Sequence, residues 1–554
     1  MKKIFSMLAV AAVLTACVYD LNTLPLNPTD TTSETAYGAD ESSYLSGLSR
    51  IYFQFISCDL KDLQLTDAGA SELVRAFWSL NEVSTDAAKC AWNGDAWVAA
   101  INTNTWSDAD NDAAYAVYVR TMQGITYANE FLRQTASGRL DDRGCSSDVK
   151  QKVAGMRAEA RFLRAYMYWM AMDVFGSVPF TTEDSPFGAV NPVPATRPEV
   201  FQFIVDELTD LAADGSDMPA ARSNYPRADK GSCLGLLARL YLNAEVYTGK
   251  AMWSEAKTTC EKIFSMGYGL APEYADVFRG DNGENPDARK ELLWSIDYNA
   301  ERTQSWGGTT LLTFAAIASA DVTDTAHPNG VNGGWGGMRV PYEYVEKYFN
   351  VSGQNYETGE YTVTDKRGQL FYIAPTHPTK DEPAKNREET IENLASFLQG
   401  WTCIKYNNIP HDQTAEQFNE TAKIKGYSDI DFPMIRLAEI YLIYAEACLN
   451  LGDASPALPY VRQLSERAGV SAPREITKDW LVAERARELM WEGHRRTDLI
   501  RWGLFTSDTF LWPWKGGSMA GQGFAPHMTI FAIPASELAT NPELHQNPGY
   551  GKQN

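Results

Sequence analysis

The stretch ARLYLNAEVYTG at 238–249, followed after Lys250 and Ala251 by MWSEAKTTCEKIFSMG at 252–267, decides how this chain folds. Small or aromatic residues recur every three to four positions, then Gly249 breaks the pattern and a second periodic run ends at Gly267, with Pro272 beyond. That spacing predicts two helices, over 230–247 and 253–266, joined by a tight turn. The same punctuation returns far downstream, where AEIYLIYAEACLNLG at 438–452 precedes DASPALPYVRQLSERAG at 453–469. Two further helices read clearly. Residues 153–174 carry Met156, Phe162, Leu163, Tyr166, Met167 and Met170 at helical spacing, and Gly176 can end the run. Thr196-Arg197-Pro198-Glu199 has the spacing of a capping box and opens a helix towards Leu211.

The two helix pairs resemble tetratricopeptide units, in which antiparallel helices stack on a neighbouring pair. Residues 267–431, between them, differ in character: rich in Gly, Trp, Tyr, Thr, Asn and Pro, with few helical runs. Gly-Gly-Trp-Gly-Gly at 333–337 fits no regular element, because glycine is costly inside helices and strands. The expected fold is therefore mainly α, a tetratricopeptide-like scaffold at 36–266 and 432–505. An irregular, loop-rich lobe is inserted at about 267–431, and a C-terminal segment follows at 506–554. Abundant aromatics argue that the lobe is ordered, and long irregular segments of this kind tend to carry function.

At the N-terminus, Lys2 and Lys3 precede a short apolar run at 4–14, and Leu14-Thr15-Ala16-Cys17 closes it. This is the order of a secretory signal, spanning 1–16, and it resembles the lipobox of bacterial lipoproteins. The resemblance implies lipidation at Cys17, and the polar stretch that follows, with Pro25 and Pro28, reads as a lipidated tether over 17–35. The apolar run is too short to span a bilayer as a helix. The 554 residues are 44% hydrophobic, ample for a large core, and carry a formal net charge of -22. Such a surface repels phosphate backbones, so nucleic acid is not an expected partner. Besides Cys17 there are seven cysteines, at 58, 90, 145, 233, 260, 403 and 448. They are scattered, an odd number, and none has zinc-site spacing; most read as small buried hydrophobes.

Four stretches carry a wider resemblance: RAEARFLRAYMYWMAMDVFGSVPF at 157–180, DFPMIRLAEIYLIYAEACLNLG at 431–452, ERARELMWEGHRRTDLIRWG at 484–503 and IFAIPASELATNPELHQNPGY at 530–550. With the lipobox, they resemble the SusD/RagB family of Bacteroidetes outer-membrane lipoproteins. The resemblance implies about four tetratricopeptide-like helix pairs supporting an irregular ligand-binding half. It implies a lipid-anchored, extracellular-facing protein on the cell-surface side of the outer membrane that binds oligosaccharide or polysaccharide and caps a SusC-like TonB-dependent transporter. Within 484–503, Arg485, Arg487, Glu488, Glu492, Arg495, Arg496 and Asp498 have the spacing of helical ion pairs. His494 among them reads as a scaffold hydrogen-bonder rather than a catalytic base.

A glycan offers apolar C–H faces, which aromatic rings match, and hydroxyls, which short polar side chains match. Cys-Ala-Trp-Asn-Gly-Asp-Ala-Trp at 90–97 has that composition and nominates Trp92, Asn93, Asp95 and Trp97. In the lobe, KELLWSIDYNA at 290–300 alternates like a strand, which places Trp294 in the core and Tyr298 near the strand's end. Trp306 beside two glycines, and Trp335 between glycine pairs with Arg339 nearby, complete the candidates. No nucleophile elbow, zinc-protease helix or phosphate loop is present, so neither a catalytic residue nor a cofactor is expected. A glycoside hydrolase and a receptor for another nutrient such as peptide are the alternatives. No metal is required, although acidic loops could hold a structural calcium.

Overall fold

The computed structural model describes residues 35–58, 67–107, 111–186, 191–318, 328–355, 360–372, 388–421 and 424–551. The signal 1–16, Cys17 and nearly all of the tether lie outside the described residues. Among the described residues, eleven helices make up the main scaffold. They are α1 Glu41–Tyr52, α2 Leu73–Glu82, α3 Ala96–Thr103, α4 Asp112–Gln134, α5 Ser147–Phe175 and α6 Arg197–Ala212. The rest are α7 Lys230–Leu242, α8 Trp253–Phe264, α9 Leu437–Asn450, α10 Leu458–Ala468 and α11 Lys478–Glu488. From α4 to α9 each helix packs on the next in the series, and α9 then takes both α10 and α11. The two quoted pairs are thus neighbours in space. Their seam is aromatic: the Phe264 ring stacks on Tyr460 at 4.3 Å and meets Tyr441 and Tyr444 at 5.4 and 5.2 Å.

Local chemistry sets most boundaries. Helix α5 starts earlier than its apolar periodicity, at Ser147, because the Ser146 hydroxyl accepts the Val149 N–H. It ends at Gly176, whose φ of 76° suits glycine. From Phe162 onward it is buried on every face, as expected of a helix at the centre of a domain. The capping box of α6 is present, with the Glu199 carboxylate accepting from Thr196 N–H at 2.8 Å and from its hydroxyl at 2.7 Å. The single helix expected over 230–247 is instead broken at Asn243. Its side-chain amide donates to the Arg239 carbonyl and its Oδ1 accepts from Arg501, so α7 stops at Leu242 and Ala244–Thr248 forms a separate turn.

Four short strands tie the irregular lobe down: β1 Lys89–Cys90, β2 Leu292–Ile296, β3 Met338–Arg339 and β4 Phe432–Arg436. β2 pairs antiparallel with β4, so the two ends of the lobe are stitched together where it leaves and rejoins the helices. Trp294 on β2 is fully buried, with Phe162 at 4.9 Å, Tyr166 at 4.6 Å and Phe55 at 5.6 Å. The lobe also has short helices, among them Gly308–Phe314 and Tyr342–Phe349. Among the described residues seven cysteines are free; Cys58 is half-buried and the other six are buried.

The charged residues of 484–503 pair mostly across the fold rather than along one helix. Arg487–Glu484 is a local pair at 2.7 Å, but Arg495 reaches Asp86 and Arg496 reaches Asp173, at 2.7 and 2.8 Å. Arg485 takes Asp498 at 2.7 Å. His494 is buried, its backbone N–H donates to Glu82, and burial depresses its ring to a pKa of about 4, so it stays neutral. Glu82 itself is buried, and desolvation raises its carboxyl to about 8 despite the N–H groups of Gly493 and His494 on Oε1. Folded protein therefore keeps this proton at pH values where unfolded chain has lost it, and Glu82's contribution to stability falls as pH rises from about 4.5 to about 8. Glu82→Gln should gain on the parent over that window, by up to about 1.4 kcal/mol per pH unit. Melting curves at pH 5 and 8 check this, and a gap that stays constant would refute it.

Candidate ligand-binding platform

Antiparallel pairing of β1 with β3, Cys90 opposite Met338, draws together two loops far apart in sequence. Ala91 N–H donates to the Gly337 carbonyl at 2.7 Å, and the Trp92 ring then lies over Gly337. A Cβ at 337 would stand 2.4 Å from that ring, so only glycine permits the approach. The glycine-rich loop is pinned on its other side, with Trp335 N–H donating to Phe314 and Gly336 N–H to Ile317, both at 2.7 Å.

Three rings gather along this edge. Trp306, which is 42% exposed, has its ring centre 6.1 Å from Trp335 and 4.5 Å from Tyr427. Trp335 and Tyr427 are half-buried, and Phe314 supports Trp335 from beneath at 4.9 Å. Successive planes turn by 46° and 44°, so the set is a bent surface rather than a flat one. Arg75 joins it to Trp92. The guanidinium lies 6.0 Å over the Trp92 ring, donates to the Trp306 carbonyl at 3.4 Å and pairs with Asp67 at 2.5 Å. Polar groups border the rings: the Asp67 carboxylate, partly exposed, and Asn332, exposed beside Gly426. Asn93 and Asp95 are half-buried near Trp92; Asn93 accepts from Asn102 at 3.0 Å, and the Asp95 side chain makes no cap bond to α3.

The sequence candidates thus divide. Trp92, Asn93, Asp95 and Trp335 lie in the joined loops, and Trp306 stands beside Trp335 from a third loop. Three do not reach the surface. Trp97 is only 8% exposed, because it falls inside α3 and faces the core. Tyr298 is 1% exposed, its hydroxyl donating to Glu72 at 2.5 Å. Arg339 is buried on β3, with Nη1 donating to the Met338 carbonyl and Nη2 to Phe397. Conversely, no sequence motif beyond a neighbouring glycine singles out Asp67, Arg75, Asn332 or Tyr427, which the fold brings here. Tyr427 follows Gly426 in a turn, the same signal that nominated Trp306. Elsewhere, Asp281, His411 and Asp412 bring possible metal-ligand atoms within 4.8 Å of one another, but His411 Nδ1 already bonds Asp281 at 2.5 Å.

Residues 290–550 match the SusD family, and residues 64–242 match a second family described as starch-binding and associating with the outer membrane. Along 99% of both chains, the protein is 29% identical to the starch-binding protein SusD of Bacteroides thetaiotaomicron. It is 26% identical to SusD-like protein P25 of Formosa agariphila, over 71% of this chain and 73% of that one. Among solved structures, a SusD superfamily protein from Parabacteroides distasonis superposes with a TM-score of 0.69 at 20% identity, covering 94% of this chain and 100% of the other. Surface glycan-binding protein A from Bacteroides thetaiotaomicron, solved with laminarihexaose, gives 0.67 at 18% identity, covering 91% and 99%. The helical stack, the inserted lobe and these matches agree: the chain is a SusD-like protein of the SusD/RagB family.

Proposed function

We propose that this protein is a non-catalytic glycan receptor of the outer membrane that captures oligosaccharide on Trp306, Trp335 and Tyr427, flanked by Trp92, and hands it to a SusC-like TonB-dependent transporter. Lipid on Cys17 moors it facing outwards. One observation carries the reading: an exposed tryptophan clustered with two half-buried rings and bordered by Asp67 and Asn332. Rings stack on sugar C–H faces, and the border supplies hydrogen bonds to hydroxyls. The names of its relatives support the ligand class, since one is called starch-binding and another was solved with laminarihexaose. The 46° and 44° turns between planes favour a glucan that curves along its length over a flat one. A hydrolase would need two free carboxylates across the sugar bond; Asp67, the carboxylate beside Trp306, is held by Arg75.

Titration calorimetry with maltoheptaose, laminarihexaose and cellohexaose tests this. Binding to a curved glucan with weaker or no binding of cellohexaose is expected, and no new reducing ends should appear on incubation. Failure to bind any glucan, with uptake of peptide instead, would sink the proposal. Recovery of a large β-barrel partner from detergent-solubilised membrane tests the transporter half.

A further inference from the structure

We propose that Glu72 is the positioning residue of the platform, a buried carboxylate that fixes where Trp306 stands; the inference rests on the glycan reading above. Glu72 has no solvent exposure, and four donors from three segments converge on it. Its Oε1 accepts from the Tyr298 hydroxyl at 2.5 Å and the Ser305 hydroxyl at 3.0 Å. Its Oε2 accepts from Gly308 N–H at 2.6 Å and Arg75 N–H at 2.8 Å. Ser305 and Gly308 bracket Trp306, while Arg75 lies in the first turn of α2, its guanidinium 6.0 Å over the Trp92 ring and donating to the Trp306 carbonyl. One carboxylate thus ties the loop under Trp306, the end of the strand leading to it and the helix beside Trp92.

The two glycines after Trp306 acquire a reason from this arrangement. A Cβ at Gly307 would stand 2.1 Å from the Glu72 carboxylate, and one at Gly308 would strike the Tyr298 hydroxyl at 2.0 Å, at a φ of 46°. They make the recess into which the carboxylate and phenol fit. The donors also differ in kind. Those on Oε2 are backbone N–H groups, which can only donate, whereas those on Oε1 are hydroxyls, which can turn and accept. Glutamine at 72 can satisfy both sides, with its carbonyl towards the N–H groups and its amide towards the hydroxyls. Alanine can satisfy neither, and leaves buried donors without a partner.

The test uses the full chain labelled with 5-fluorotryptophan, the Trp306 resonance being identified by its loss in Trp306→Phe. Glu72→Ala should move or broaden that resonance and weaken maltoheptaose binding by about tenfold or more, while Glu72→Gln keeps both close to the parent. Gly307→Ala, which displaces the loop without removing the buried carboxylate, should resemble Glu72→Ala and carries the test should the alanine variant not fold. The proposal is overturned if the resonance and affinity survive Glu72→Ala or Gly307→Ala, or if Glu72→Gln is as damaging as alanine. Should the parent bind no glycan, the glycan reading fails by itself, and the fluorine spectra still decide whether Glu72 positions Trp306.

Discussion

Glu488→Ala is expected to destabilise the fold by about 3–5 kcal/mol, the scale for removing one partner from a buried ion pair. Glu488 has no exposure, and three guanidiniums end on its carboxylate: Arg436 at 2.7 Å and Arg467 at 2.5 Å on Oε1, Arg367 at 2.7 Å on Oε2. Burial alone would raise this carboxyl, but Arg467, Arg436 and Arg367 hold it well below the usual carboxylate range, so it stays charged. The network continues outward. Glu291 bridges Arg436 and Arg467, Glu492 bridges Arg436 and Lys405, and Glu484 takes Arg367. Arg367 and Lys405 belong to the inserted lobe, while Arg467, Glu484 and Glu488 belong to α10 and α11. The cluster therefore fastens lobe to scaffold, and alanine at 488 leaves buried cations facing one another. Denaturant unfolding gives the number; a loss under about 1 kcal/mol would mean that water enters and solvates the site.

Trp306→Ala should cost about 1–3 kcal/mol of glycan affinity, the scale of losing one aromatic stacking surface, with little change in melting temperature. The ring is the most exposed of its set and contributes little to the core, so its removal takes ligand contact without opening a cavity. Trp97→Ala should do the reverse. That side chain packs among buried residues, and its removal leaves a cavity that lowers stability while binding persists. Measured together, affinity and melting temperature place each tryptophan in the core or at the platform. The assignment is wrong if Trp306→Ala binds like the parent, or if Trp97→Ala abolishes binding while melting normally.

How far the sequence could be read follows from the range of the interactions. Helices α5 to α10 were legible because periodicity, caps and glycine stops are local, and their boundaries shifted only where a side chain intervened, as at Ser146 and Asn243. The platform was half legible. Trp92 and Trp97 lie in one polar-aromatic segment, yet Asp95 starts a helix that turns Trp97 inward while Trp92 stays in the loop. Tyr298 lies two residues past the end of β2, but a buried carboxylate 226 residues away claims its hydroxyl. Glycines beside a tryptophan suggest exposure. At 307–308 they make room for Glu72 and Tyr298, and the exposure of Trp306 follows from that packing. No spacing in the chain announces that residues 67–75, 91–95, 305–308, 333–337 and 426–428 meet; tertiary pairing alone brings them together.

Solving the protein with bound maltoheptaose addresses the receptor directly. Sugar rings should lie over Trp306 and Trp335, with hydroxyls towards Asn332 or Asp67. Saccharide seated on a different face, with these rings bare, would contradict the account.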